Sequence, residues 1–340
     1  MKKHFRKKSW LVPAALAALL LCGMAVSLCV GKYSVTVKES IQIVLYKLFQ
    51  IPGEWPSMME NVVLRLRLPR ILAAVVVGAS LSLSGATYQG IFRNPLISPD
   101  FLGVSSGACI GAAIAILSDL PAAYIQLFAF LGGIAAVGLT ISIPKLIRSD
   151  SNLMLVLSGI IVGGAMGSVF GLIKYLADPA TELAEITYWQ MGSLANVTYD
   201  SLLGILSPVL ISMVVLLLMS WWIDILSLGE TDAKTLGANV GRIRLIAVLC
   251  ATLLTASSVC VAGTIGWIGL VIPHFGRMLV GPDNRRLLPA SCLIGAIFLL
   301  GVDTVTRTVG QAELPISILT GVIGAPFYAW LLYKQRARLR

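Results

Sequence analysis

RLRLPRILAAVVVGASLSLSGATYQGIFRNPLISPDFLGVSSGACIGAAIAIL, residues 65 to 117, holds the pattern on which the fold turns. A cluster of arginines opens an apolar run. That run is as long as the roughly 20 residues a helix needs to cross a bilayer. It ends at Asn94-Pro95 and Pro99-Asp100, which are turn formers. A second apolar run follows at once, with Gly103, Gly107 and Gly111 spaced every four residues. Glycine at that period lays a flat strip along one helix face and lets another backbone approach closely. The reading is two membrane helices joined by a tight cytoplasmic reversal.

Working outward, the same pattern fills the chain. Of 340 residues, 57% are hydrophobic and 12% charged, at a mean hydropathy of +0.88. A soluble globule carries about a quarter of its residues as charges, so a soluble fold is excluded. The long runs lack the alternation of barrel strands, which leaves helices. Ten runs are predicted to span: 10–30, 68–90, 101–118, 121–143, 153–173, 201–223, 243–262, 267–280, 287–306 and 314–333. The eighth is short and broken by Pro273. The expected fold is therefore all-α and polytopic, one transmembrane domain over residues 1–340. The first run lacks a cleavage signature and is read as a retained helix.

With ten spans both termini share a side, and basic residues tell which. Placing the termini in the cytoplasm leaves Lys32, Lys38, Lys47, Arg65, Arg67, Arg70, Lys174 and Arg307 outside and the other eighteen of 26 cations inside. The bias orients the chain, and the net charge of +10 reflects cytoplasmic loops rather than nucleic-acid binding. The outer arginines run against this trend. Either they snorkel to lipid phosphates, or they dock an acidic protein surface, since guanidinium pairs with carboxylate through a rigid fork.

Three further stretches stand out. LSLGETDAKTLGANVGRIR, residues 226 to 244, is the most polar internal cytoplasmic stretch. Ser227 or Gly229 caps a short helix with Glu230 and Asp232 in its first turn, Gly237 ends it, and ANVGR begins a second. It reads either as a surface gripped from the cytoplasm or as an amphipathic loop. AGTIGWIGLVIPHFGRMLVGPDNRRLLPASCLIGA, residues 262 to 296, combines Pro273 with dense glycine, and irregular backbone at membrane depth is tolerated where it lines a cavity or is buried in protein. In GVDTVTRTVGQAELPISILTGVIGAPFYAWLL, residues 301 to 332, Asp303 and Arg307 are one turn apart and can pair, and Glu313 precedes Pro315.

Absences narrow the function. Two histidines, His4 and His274, cannot build a metal cage, and the six cysteines lack metal-ligand spacing, so neither a metal nor a cofactor is expected. There is no P-loop, no aspartate-rich diphosphate site and no nucleophile constellation. Span interiors are almost free of charge, which weighs against a self-contained ion-coupled carrier. A membrane enzyme lacks its reactive residues. The energy for any transport is expected from another subunit.

RLPR with GASLSLSGATYQGIFRNPLISPDFLGVSSGA, then LSLGETDAKTLGANV, GLVIPHFGRMLVGPDNRRLLP and ELPISILTGVIGAPFYAWLL, closely resembles the permease subunits of iron-siderophore and cobalamin ABC importers, over nearly the whole chain. The resemblance implies type II importer architecture in a bacterial cytoplasmic membrane: a dimer with a second copy or a homologous permease, two ATPase subunits below and an extracytoplasmic substrate-binding protein above. It implies docking of acidic lobes through Arg67, Arg70 and, less directly, Arg307, with Arg65 outside the match. It makes residues 226–242 the ATPase-coupling loop, carried by Ser227, Leu228, Gly229, Glu230, Ala233, Leu236 and Gly237. It sets the cytoplasmic gate near SDSNL, at Asn152 and Leu153, where the family's small hydroxyl residues are absent. Ser80, Ser82, Ser84 and Thr87 either line the translocation path or serve packing. The expected cargo is a ferric siderophore, with cobalamin or haem as the alternative and a secondary transporter as the second.

Overall fold

The computed structural model describes residues 11–49, 55–148, 151–309 and 313–336. The basic N-terminal cluster Lys2 to Lys8, with Ser149 and Asp150 of the gate stretch, lies outside them. No strand occurs among the described residues. The helices are α1 (Leu11–Cys29), α2 (Val37–Phe49), α3 (Ser57–Asn61), α4 (Leu68–Phe92), α5 (Val104–Leu117), α6 (Ala122–Leu146), α7 (Asn152–Leu176), α8 (Glu182–Met191), α9 (Tyr199–Leu218), α10 (Ser220–Leu228), α11 (Glu230–Thr235), α12 (Val240–Ala262), α13 (Ile268–Val280), α14 (Asn284–Thr306) and α15 (Ile316–Arg336). A π-helical segment, Val62–Arg67, leads into α4, and a 3₁₀ turn, Pro99–Leu102, precedes α5.

A helix underlies each of the ten apolar runs. Six, α1, α6, α7, α9, α12 and α14, are long and apolar enough to cross a membrane, while α5, α13 and α15 are shorter apolar helices. The sixth run divides near its inner end: α9 stops at Leu218 and α10 begins at Ser220.

α4 is the axis of the bundle and is buried along most of its length. Glycine makes this possible. A Cβ on Gly78 would lie 2.3 Å from the Gly295 carbonyl oxygen, and one on Gly85 would lie 1.9 Å from that of Gly269, so α14 and α13 touch α4 backbone to backbone. The strip on α5 behaves as its spacing predicts: Gly107 meets Gly132 and Gly111 meets Phe128, both on α6.

The segment after α4 corrects one expectation. Arg93 caps α4 in the left-handed region at φ 56°, and the chain does reverse. It does not stay at the cytoplasmic surface. A Cβ on Gly269 would sit 2.8 Å from Pro99 and 3.0 Å from the Leu81 carbonyl oxygen. Leu81 is about 17–20 Å from either end of α4 at 1.5 Å per residue. Pro99 to Gly103 therefore re-enters to mid-depth. Accordingly α5, with 14 residues, is about 21 Å long, short of the ~30 Å apolar core. α13 likewise begins at mid-depth, after an irregular stretch in which Gly263 and Trp267 both have positive φ.

Candidate functional site

Below, outer and inner name the ends that the charge bias assigns to the outside and the cytoplasm. At the outer end Arg67, Arg70 and Arg307 meet. They line one pocket of about 250 Å³ with Gly31, Lys32, Tyr33, Leu66 and Glu313. The π-helical turn brings Arg67 and Arg70 to one side, and the C-terminus of α14 brings Arg307.

Their exposure differs from what a docking surface calls for. The three are 5–7% exposed, and each donates hydrogen bonds inside the chain, although Arg307 Nε has no hydrogen-bond partner among the described residues. Arg70 Nε donates to Asp303 Oδ1 at 2.8 Å, and Nη1 donates to both Glu313 oxygens at 2.9 Å. Arg67 donates to the carbonyls of Leu28 at 2.6 Å and Cys29 at 3.1 Å, and to that of Tyr33. Arg307 donates to the Ser27 carbonyl and hydroxyl. The expected Asp303–Arg307 pair is loose: Arg307 Nε stands 4.0 Å from Asp303 Oδ2, while Arg70 holds Oδ1. The exposed members of RLRLPR are Arg65 and Leu66. Accessibility thus reverses the order in which the sequence ranks these arginines.

At the inner end the polar stretch forms two short helices with a glycine joint, but not the two expected. The first is α10, before the joint. Gly229, at φ 128°, separates it from α11, and Gly237, at φ 79°, follows α11. ANVGR is no separate helix: the Asn239 side chain caps α12, accepting from Arg242 N at 3.1 Å. Ser227 caps nothing, because its hydroxyl bonds the Ile223 carbonyl within α10. Ala233 is fully buried, while Leu228 and Leu236 stand out at 58% and 59% exposure. Glu230 pairs with Arg244 of α12. Asp224 of α10 accepts from the Asn284 backbone N at 2.9 Å and Nδ2 at 2.7 Å, fastening α10 to the start of α14. Burial pushes this carboxyl above its ordinary range, against the two Asn284 bonds.

Of the gate residues, Asn152 opens α7 and Leu153 is exposed next to it, its N–H bonded to the Ser151 hydroxyl at 3.2 Å. Ser80, Ser84 and Thr87, with Ser82, are all at 0% exposure, as the packing alternative requires. They lie on the axis helix, where small side chains allow close packing. Ser84 Oγ sits 2.9 Å from the Ala251 carbonyl and 2.8 Å from Thr255 Oγ1, both on α12. Among the described residues no group of three or more His, Cys, Asp or Glu is placed to hold a metal.

Comparison with known proteins places these features in a family. Residues 19–334 match the FecCD transport family. The molybdate import system permease protein MolB of Haemophilus influenzae is 39% identical over 94% of this chain and 95% of its own. A probable iron chelatin transport system permease protein of Helicobacter pylori is 39% identical over 95% and 97%. Among solved structures, an inward-facing conformation of a metal-chelate type ABC transporter superposes with a TM-score of 0.85 at 38% identity, covering 95% of this chain and 99% of that one.

Proposed function

The chain belongs to the FecCD transport family, and from that premise we propose that it is the multi-pass permease subunit of an ATP-driven importer of ferric siderophores. The observation that carries this reading is the bipolar layout: a basic pocket at one end and a glycine-jointed, partly exposed helix pair at the other. The pocket gathers Lys32, Arg67, Arg70 and Arg307 against Glu313, with Asp303 behind, so cations remain in excess. An excess of buried guanidinium attracts acidic side chains of a substrate-binding protein, and exposed Arg65 extends that field outward.

At the inner end, Leu228 and Leu236 give the coupling loop apolar knobs for an ATPase cleft, and the two positive-φ glycines let α11 move as a unit. ATP binding closes the ATPase pair, α11 is displaced, and the permease switches the side to which its path opens. The exposed apolar face of α7, with Leu153, Leu157, Ile160, Ile161 and Leu172, suits a second permease copy or a homologous chain.

The test is uptake in cells lacking this permease and complemented with it, using labelled ferric siderophore, cobalamin, haemin and molybdate, with an ATPase-dead control. Siderophore uptake that requires ATP hydrolysis is the expected result. Uptake confined to another cargo would overturn the substrate, and uptake indifferent to the ATPase would overturn the machine.

A further inference from the structure

The re-entrant stretch RNPLISPDFLG and the break between α12 and α13 have no part in the layout above, yet they face one another. Between them lies a cavity of about 410 Å³, lined among others by Asp100, Ser105, Ser106, Gln190 and Thr264. Two interrupted helices start at it, α5 after Gly103 and α13 after Trp267. Interrupted helices meeting at mid-depth are how membrane transporters present polar groups to a cargo inside an apolar slab. Trp267 makes the break a rigid wall. Its φ of 72° is unusual for a bulky residue, and its side chain fills the space over Gly324, whose Cβ would lie 2.7 Å away.

Among the described residues Asp100 is the one carboxylate on this cavity. It is exposed within it, and its neighbours leave it incomplete. Ser105 Oγ donates to Oδ1, while Ser98 Oγ approaches Oδ2 only at 3.4 Å. A carboxylate offers about four acceptor positions, so acceptor capacity remains toward the cavity. Lys174 Nζ is 3.4 Å from Gln190 Oε1 and 5.6 Å from the centre of the Phe170 ring, and among the described residues Asp100 forms no ion pair. The cavity lining thus carries hydroxyls, the Gln190 amide and one carboxylate. A charge at such depth is costly unless it serves the passage of something that meets it.

We propose that this cavity is a substrate contact in the translocation path, with Asp100 as a specificity-determining residue that favours metal chelates carrying an ammonium or other hydrogen-bond donors and disfavours oxyanions. The proposal rests on the importer reading and adds a selectivity element inside the permease, independent of the binding protein.

The experiment compares two ferric trihydroxamate chelates that differ only in a terminal amine, free in one and acetylated in the other. Both are presented to the permease reconstituted with its ATPase and binding protein. Wild type and Asp100→Glu are expected to prefer the ammonium form, and Asp100→Asn to lose about tenfold of that preference, the scale of one charge-assisted hydrogen bond. Because the binding protein is the same throughout, its own selectivity cancels. An unchanged preference in Asp100→Asn overturns the proposal. If the wild type imports neither chelate, the siderophore reading fails instead, and a second arm still decides about Asp100. In that arm Ser106→Cys is labelled with cationic and anionic methanethiosulfonates in the solubilised protein, and the labelling of the unsubstituted protein, whose free cysteines include Cys109 on the same cavity, is subtracted. The ratio of cationic to anionic rates is expected to exceed the ratio for a small free thiol in solution, and an equal or lower ratio overturns the proposal, also where Asp100→Asn does not reach the membrane.

Discussion

Arg70 and Arg244 each reach across the bundle to a carboxylate on another helix, and what surrounds them differs. Arg70 is 9% exposed at its side chain and its partner Asp303 is fully buried, while Glu230, the partner of Arg244, is 42% exposed. At the outer end, the Arg70–Asp303 pair locks α4 to α14 beneath the surface, with only Glu313 reaching toward solvent. At the inner end, the Glu230–Arg244 pair rests α11 against α12 in a setting that water can enter. A buried pair cannot be opened without stranding a charge, whereas an exposed pair can exchange with solvent at little cost. The outer cluster is therefore suited to fix geometry, and the inner one to release a moving part.

The largest expected effect tests the fixed end. Arg70→Ala leaves Asp303 buried without its near partner and frees Glu313. Breaking one side of a buried pair costs about 3–5 kcal/mol. Chemical unfolding in mixed micelles is expected to show a loss of that size, and the pair Arg70→Met with Asp303→Leu to recover most of it. A loss below about 1 kcal/mol would mean that the outer cluster is as pliable as the inner one, and the contrast would collapse.

The next effect tests the moving part. Gly237 has φ 79° and no atom within 4 Å of where a Cβ would stand, so an added side chain meets backbone strain and no clash. Left-handed geometry costs an L-residue about 1–2 kcal/mol. Gly237→Ala is thus expected to shift stability modestly while lowering cargo-stimulated ATP turnover of the assembled complex severalfold. Normal transport in this variant would remove the hinge role from the loop.

How much of this was legible beforehand follows from the range of the interactions. The helices were readable because length and apolarity are local. So was the strip on α5, because a period of four fixes a face whatever lies opposite. The depth of RNPLISPD was not. Pro, Asn and Asp break a helix equally well at the surface and at mid-membrane, and only contact with Gly269 and Leu81 decides between them. The state of the arginines was hidden for a related reason. Arg70 finds its carboxylates 233 and 243 residues further along the chain, and Arg67 is held by backbone carbonyls, which no residue type announces. The path serines show the converse. A small hydroxyl residue serves a pore wall and a tight helix contact alike, and only the burial of Ser80, Ser84 and Thr87 on α4 favours the contact.

The smallest effect on the fold falls on Arg65, the arginine that the motif resemblance leaves out of the docking positions. Arg65 is exposed, two residues before Arg67, whose guanidinium is turned inward to the Leu28, Cys29 and Tyr33 carbonyls. Reversing its charge touches no buried partner, so Arg65→Glu should move stability by no more than about 0.5 kcal/mol. Its effect on docking is a different matter. A rim charge acts through the long-range field, mainly on the rate of encounter and its dependence on salt. Slower association with the binding protein at low ionic strength, converging on wild type as salt is raised, would assign the outer surface to Arg65 and leave Arg67 and Arg70 as its scaffold. Wild-type association at every salt concentration would return docking to the buried cluster. In that case an incoming acidic side chain must displace Glu313 from Arg70, and the outer end would be a place where one buried pair is exchanged for another.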